Sequence, residues 1–286
     1  MIDYAFLLKT VRDSCSKGFS IVGVVYSLLK IIHEILPSVS LAPDINLSLL
    51  LLVFFVAFFS SFVLEVWTFY FQEVTITHTD KSIGIRFGDI LKKTDGSILV
   101  GINNTLEYNI EKIGKDSIQY QLSKKYGSSW MMQLFESEKE KNKDIQNTDH
   151  IYPYGYTFDG VSPDRKQHFV FLVMSGLESN RVPGTMPSYL TSAIVKLFST
   201  NDFRCINNRL YVPALGTGRV ALPLSKQNAA KNIVHIFTRN TSAESTSVHD
   251  LRIIFRWHSY KKIDMVSLYK DIGSYARVCC KCPSKI

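Results

Sequence analysis

Hydrophobic positions are spread unevenly along the chain, and their pattern changes character near residue 72. In the first sixteen residues, Ile2, Phe6, Leu7 and Val11 fall near helical spacing between charges, the pattern of a short amphipathic helix or of a frayed, solvated terminus. Residues 19–36, FSIVGVVYSLLKIIHEIL, are mainly apolar but interrupted by Lys30, His33 and Glu34. As a helix they would extend ~27 Å, barely a bilayer core. Residues 47–71, LSLLLLVFFVAFFSSFVLEVWTFYF, contain a single acid, Glu65. As a helix this run would reach ~37 Å, apolar on every face, which a buried core helix seldom needs. Trp67, Phe69, Tyr70 and Phe71 gather at one end like an interfacial belt. The pattern predicts two transmembrane helices, about 19–36 and 47–71, within a membrane region 1–72.

Beyond residue 72 the pattern becomes that of an α/β domain, residues 73–286. Residues 74–78 and 82–87 alternate apolar and polar as strands do, and residues 97–102, SILVGI, read as a buried central strand. Residues 167–175, QHFVFLVMS, give a second central strand, 210–213 a third and 251–257 a late one. Between them, 114–126, 189–199, 225–237 and 265–272 have helical period. Residues 155–160 read as a turn-rich patch and 137–150, SEKEKNKDIQNTDH, as a charged, solvated loop. Alternating strands and helices predict a three-layer α/β/α sandwich with a mixed sheet.

Charge adds an orientation. The chain has 33 Lys+Arg against 25 Asp+Glu, for a net charge of +8. The excess belongs to the α/β part, because the first 72 residues carry four basic and five acidic side chains. Lys9, Arg12 and Lys17 precede the first apolar run, Lys81, Arg86, Lys92 and Lys93 follow the second, and the loop 37–46 has no Lys or Arg. The positive-inside rule then puts both ends in the cytoplasm and the loop outside. A rival reading takes the first run as a signal peptide cleaved near Ser40–Leu41–Ala42, with Lys30, His33 and Glu34 counting against it. Glu65 either lines an oligomeric pore or snorkels to an interface. Five cysteines, three of them in the tail (Cys279, Cys280 and Cys282), form no disulfide framework and lack the spacing of a closed zinc site.

The candidate chemistry lies in LYVPALGTGRVALP, residues 210–223, where a strand ends at Pro213 and enters a turn at Gly216, Thr217 and Gly218. A diphosphate needs several N–H donors at close range, and residues without a large Cβ let the backbone approach. Alone, a GxG is equally an ordinary strand-to-helix turn. Asp89 in Gly88–Asp89–Ile90 is a hydrogen-bond acceptor or a helix cap. No HExxH or GxSxG is present, and Gly114–Lys115–Asp116–Ser117 lacks the earlier glycine of a P-loop, so no catalytic residue, metal site or cofactor is assigned.

Two stretches in this order resemble the macro domain, an ADP-ribose-binding module. Gly88, Asp89 and Ile90, followed by Asp95, Ile98, Leu99, Val100 and Asn103, are similar to its Gly-Asp-Ile and Asp-x-Ile-Val-Asn landmarks, and VPALGTGRVALP to its second ligand loop. The similarity covers roughly residues 76–272. It implies that Asp89 accepts from the adenine amino group, and that Ile90, Asn103 and Asn104 border the ligand. Leu215, Gly216, Thr217, Gly218, Arg219 and Val220 would wrap its diphosphate. The family's glycine-rich first loop is replaced here by NTLEYNIEKIGKDSIQYQLSKKYG from Asn104, and the first asparagine of its strand corresponds to Gly101. That departure makes hydrolysis doubtful and a modified distal end of the ligand more plausible.

With two membrane runs ahead of it, such a domain resembles the transmembrane-macro effector of bacterial Thoeris anti-phage defence. The resemblance implies an inner-membrane homo-oligomer with its macro domain in the cytoplasm. It would bind histidine-ADP-ribose made by a TIR-domain enzyme and damage the bilayer. A membrane-tethered ADP-ribosyl hydrolase or deacetylase is the alternative. The basic domain also raises nucleic acid, which is not expected as a partner.

Overall fold

The computed structural model describes residues 4–35, 47–71, 73–76, 79–145, 151–176, 187–200, 202–215, 225–240, 247–256, 259 and 262–278. They fall into two compact units, Met1–Gln72 and Glu73–Ile286.

The first unit contains helices α1 (Tyr4–Ile35) and α2 (Leu47–Phe71), which pack on each other. The separate amphipathic helix expected ahead of residue 19 is not separate, because α1 is continuous through it. No proline interrupts the run, and the Ser20 and Ser27 hydroxyls bond back to the carbonyls of Ser16 and Gly23, four residues earlier. Small residues face inward: Thr10, Ser14 and Gly18 of α1 and Ala57 of α2 are buried. The Phe19 and Phe54 rings meet at 4.8 Å. Among the described residues no helix is long and apolar enough to cross a membrane, so the expected spans at 19–36 and 47–71 are not supported at this level. In α2 the described side chains run only from Leu50 to Leu64, with Val66. The loop 37–46 and its cleavage-site alternative, and the side chain of Glu65, lie outside the described residues.

The second unit is built on a seven-stranded mixed sheet in the order β1-β2-β7-β6-β3-β5-β4. The strands are β1 (Glu73–Thr75), β2 (Ser82–Phe87), β3 (Ser97–Asn103), β4 (Thr157–Val161), β5 (His168–Ser175), β6 (Arg209–Pro213) and β7 (Asp250–Phe255). The five inner strands run parallel and the two edges antiparallel. The inner strands are buried almost continuously, as parallel strands covered on both faces must be. Successive side chains alternate between faces. Ile98, Val100, Ile102, Phe169, Phe171 and Val173 share one core with Leu122 of α3 (Ile118–Tyr126) and Met131 and Phe135 of α4 (Ser128–Lys141). Helices α5 (Pro187–Ser199), α6 (Lys226–Asn240) and α7 (Met265–Val278) form the second helical layer, with α5 on β5 and α7 beside β1.

Several boundaries differ from the sequence pattern, among them the closing helix expected at 265–272, which runs on to Val278. The patch at 155–160 contains most of β4, an edge strand aligned by Phe158, which stacks on Phe171 at 4.9 Å. The charged stretch from residue 137 is helical through Lys141, because Glu138 turns inward to Tyr156 and Asn142 while Glu136 pairs with Lys139 outside. The helix expected from residue 114 begins only at Ile118, where the Ser117 hydroxyl accepts from Tyr120 N at 3.1 Å. The first strand stops at Thr75.

Candidate functional site

The carboxyl ends of the five parallel strands lie at one edge of the sheet, and a cavity of about 840 Å³ opens there. Its size falls in the ~300–1,000 Å³ range of small-molecule sites, at the place where open α/β sheets hold ligands. Four neighbouring strands supply its floor: Gly88 follows β2, Ile254 and Phe255 end β7, Pro213 ends β6, and Gly101 lies in β3.

One wall is the turn after β2. Asp89 caps the 3-10 turn Ile90–Lys92, its Oδ1 accepting from Leu91 N at 3.0 Å. That turn is held from behind by buried Gln167, whose Nε2 donates to the carbonyls of Leu91 and Lys93 at 2.8 and 2.7 Å. Gln167 Oε1 in turn accepts from Lys125 Nζ at 2.8 Å and from the Tyr126 hydroxyl, both at the end of α3. The start of α3 forms the opposing wall, where Ser117, Tyr120 and Gln121 line the cavity together with Ile110, Ile113 and Lys115. A buried amide therefore ties the two walls together, alongside Lys125 Nζ, which donates directly to the Leu91 carbonyl at 2.9 Å.

The remaining wall is basic. Lys226, the first residue of α6, donates to Ser259 Oγ at 2.6 Å, and Arg256, just past β7, donates to the carbonyl of Asp116 at 3.0 Å. Burial holds the Lys226 amine below the usual lysine range, and the charges of Arg256 and Lys262 add to the effect against an opposing pull from Asp116. The cavity thus combines apolar strand ends with three acids, Asp89, Glu111 and Asp116, and three cations, Lys115, Lys226 and Arg256. Such a set suits a ligand with a hydrogen-bonding base and an anionic middle.

A family model described as "Thoeris protein ThsA, Macro domain" matches residues 83–256. The chain belongs to that family. No curated protein matches it. Among solved structures it is similar to a mutant macrodomain of Oceanobacillus iheyensis, at 14% identity and TM-score 0.46 over 72% of this chain and 93% of that one. It is also similar to the Trypanosoma brucei macrodomain in complex with ADP-ribose, at 12% identity and TM-score 0.41 over 67% and 68%. A third is the macrodomain of Thermus aquaticus DarG, at 11% identity and TM-score 0.38 over 60% and 99%.

In this ThsA-family macro domain, the cavity brings together three of the residues singled out from sequence: Asp89, Ile90 and Leu215. Gly216, Thr217, Gly218, Arg219 and Val220 lie outside the described residues. Asn103 and Asn104 are elsewhere. Both are buried and neither lines the cavity. Asn103 Oδ1 accepts from Thr105 N, Thr105 Oγ1 and Glu107 N at 3.2, 3.0 and 2.9 Å, closing the turn that leaves β3. The backbone of Asn104 joins Ser175 and Tyr152, each at 2.8 Å. The Asn103 acceptor expected to open onto a ligand is therefore taken up by a turn of its own chain, and residues 105–113 that follow have no glycine to keep the backbone clear. Lys226, Arg256, Tyr120 and Gln167 escape the sequence reading. The signal available for Arg256 was its place one residue past a buried strand.

Proposed function

We propose that this protein is a sensor and effector of anti-phage defence whose macro domain binds an ADP-ribose-derived signal. The observation that carries the reading is the cavity itself, which is lined by Asp89 and by Leu215, the residue that precedes Gly216, Thr217 and Gly218 in sequence. An adenine amino group at Asp89 and a diphosphate toward Leu215 and the basic wall would match the cavity's polarity. The family match supports a role in Thoeris defence. The particular signal is histidine-ADP-ribose made by a TIR-domain enzyme. Binding without turnover is supported by Asn103, whose acceptor is already occupied within the protein.

The hairpin of α1 and α2 is proposed to insert in the inner membrane of the cell, leaving the macro domain in the cytoplasm. Support comes from its outer faces, where Phe19, Val24, Leu52, Phe55, Val56, Phe59, Val63 and Leu64 are each more than half exposed. A continuous apolar surface of this kind is unfavourable in water and satisfied by lipid. The α2 backbone, 25 residues, reaches ~37 Å, enough for the ~30 Å hydrocarbon layer. Signal binding would drive copies of the hairpin to assemble and disrupt the bilayer, which requires that the ligand bind the assembled state more tightly than the resting one.

The test is calorimetric titration of the detergent-solubilised full chain with ADP-ribose and histidine-ADP-ribose, repeated for Asp89→Ala. The expected result is tight binding of the conjugate, weaker binding of plain ADP-ribose, loss of both in the variant, and a larger particle mass on adding the conjugate. No heat from either ligand would reject the nucleotide reading. Binding with no change in mass would reject the assembly step.

A further inference from the structure

The basic wall of the cavity crowds like charges. Lys226 begins the 15-residue helix α6, at the end where the helix dipole is positive and a cation is disfavoured. Arg256 shares the same wall, and Lys262 is close enough to repel the Lys226 amine. Burial of the amine makes this crowding more costly. Among the described residues, the hydrogen bonds of Lys226 and Arg256 go to uncharged groups, the Ser259 hydroxyl and the Asp116 carbonyl. At Lys226 the repulsion of two cations is set against the pull of the acid Asp116; Asp89, Glu111 and Lys115 also line the cavity, so the surplus of positive charge is local to this wall.

Side-chain cations held this way suit an anion. Among the described residues Lys226 uses one N–H, on Ser259, and Arg256 uses Nη2, and each side chain has further donors to offer. A diphosphate carries about two negative charges and several acceptor oxygens, enough to engage both cations at once. The wall is also built from two distant parts of the chain, α6 and the exit of β7, so the ligand's anion would bridge them. We infer that Lys226 and Arg256 form a side-chain anion subsite that takes the diphosphate of a nucleoside diphosphate, and that these two cations set the ligand's charge selectivity.

This rests on the cavity being a nucleotide site, but not on ADP-ribose being the nucleotide. Recognition by side-chain charge has a signature that recognition by backbone amides and base contacts lacks. It depends on phosphate, weakens with salt, and follows the charge of the two side chains.

The experiment titrates the full chain in detergent with ADP, ADP-ribose and adenosine, at low and at high salt. The variants are Lys226→Met, Arg256→Met and their double, with Lys226→Arg and Arg256→Lys as charge-conserving controls. Thermal unfolding confirms that each is folded. The expected result is a loss of at least tenfold in ADP affinity for each methionine variant. Adenosine affinity stays within twofold, the salt dependence becomes shallower in the double variant, and the controls retain most binding. Unchanged ADP affinity in the double variant would overturn the inference, as would an equal loss for adenosine or no binding of ADP to the unaltered protein. If ADP binds through the two cations while ADP-ribose does not bind, the subsite stands and the ADP-ribose reading falls. If ADP-ribose binds equally well to the double variant, the reverse holds.

Discussion

Gly101 and Met174 share one space: a side chain built on Gly101 would run into the Met174 sulfur. Gly101 is in β3, at the position corresponding to the first asparagine of the macro-domain strand, and it lines the cavity. Met174, buried on the neighbouring strand β5, fills the volume which that asparagine would need. The two positions are linked, since a thioether in this place has to shift before residue 101 can carry a side chain. Gly101→Asn is expected to destabilise the protein by about 1–3 kcal/mol through overpacking. Adding Met174→Ala should recover a large part of that loss in urea unfolding. Simple additivity of the two losses would show that the contact does not set the residue at 101.

Gln167 shapes the ligand site without touching it. Its amide donates to two carbonyls of the Asp89 turn and accepts from two groups at the end of α3, so each of its polar atoms is used. Gln167→Met keeps the volume and removes all four bonds, leaving the carbonyl of Lys93 without this donor. A cost of roughly 2–3 kcal/mol is expected for the buried groups left unsatisfied. A merely structural role would end there. A positioning role predicts that, at a temperature where the variant is fully folded, ADP-ribose affinity still falls several-fold because Asp89 is no longer held. Unchanged affinity in folded Gln167→Met would rule that role out.

The order of strands and helices is legible in the sequence because five strands are short, buried and bounded by turn residues, and three helices have clear apolar faces. Asp89 is legible for a similar reason, since it sits in a tripeptide next to a strand. Lys226 and Arg256 are not. Each reads locally as a solvated cation, and only the sheet order, which sets β7 between β2 and β6, brings the exit of β7 and the start of α6 to one cavity. Asn103 misleads for the opposite reason. Its position at a strand exit suits a ligand, but the three donors that occupy it come from the chain immediately downstream, and a turn closed by side-chain acceptance leaves no periodic trace. The inward-facing Glu138 likewise hides within a run of charges that reads as solvated.

Acid sensitivity is expected to come from Asp250. Burial alone would raise its carboxyl, but hydrogen bonds from Arg252 and Arg209, together with their charges, hold it below the usual aspartate value of 3.8. The ion pairs are close, at 2.6 Å to Arg209 Nε and 2.5 Å to Arg252 Nε. Arg209 also reaches Asp95, whose carboxyl is lowered as well: burial opposes the shift, but the Tyr211 and Arg209 contacts outweigh it. A depressed folded value means that the unfolded chain takes up protons first as pH falls. The stabilisation is therefore complete above the unfolded value and is lost as pH drops below about 4 through the folded value. Asp250→Asn should lower stability at pH 7 and flatten the decline between pH 5 and pH 2 in thermal melts. An acid limb as steep as that of the unaltered protein would assign the sensitivity to other groups.

The helical hairpin has its own weak point at Gly18. A Cβ there would stand 3.0 Å from the ring of Phe54, tighter than ordinary packing allows. Thr10, Ser14 and Gly18 follow one another at intervals of four along α1 and are all buried, so α1 presents a stripe of small residues, with the Phe54 ring of α2 against Gly18. In the membrane setting proposed for the hairpin, close approach of this kind would supply the association that burial from water does not. Gly18→Val is expected to destabilise the hairpin by about 1–3 kcal/mol. The readout is the melting of the helical circular-dichroism signal of the full chain in detergent, together with cross-linking between cysteines placed on α1 and α2. Phe54→Ala in the same protein should restore part of the stability by returning space to residue 18. If Gly18→Val alone leaves both the melt and the cross-linking unchanged, the α1–α2 contact is not set by this stripe, and the aromatic pair Phe19–Phe54 becomes the feature to test.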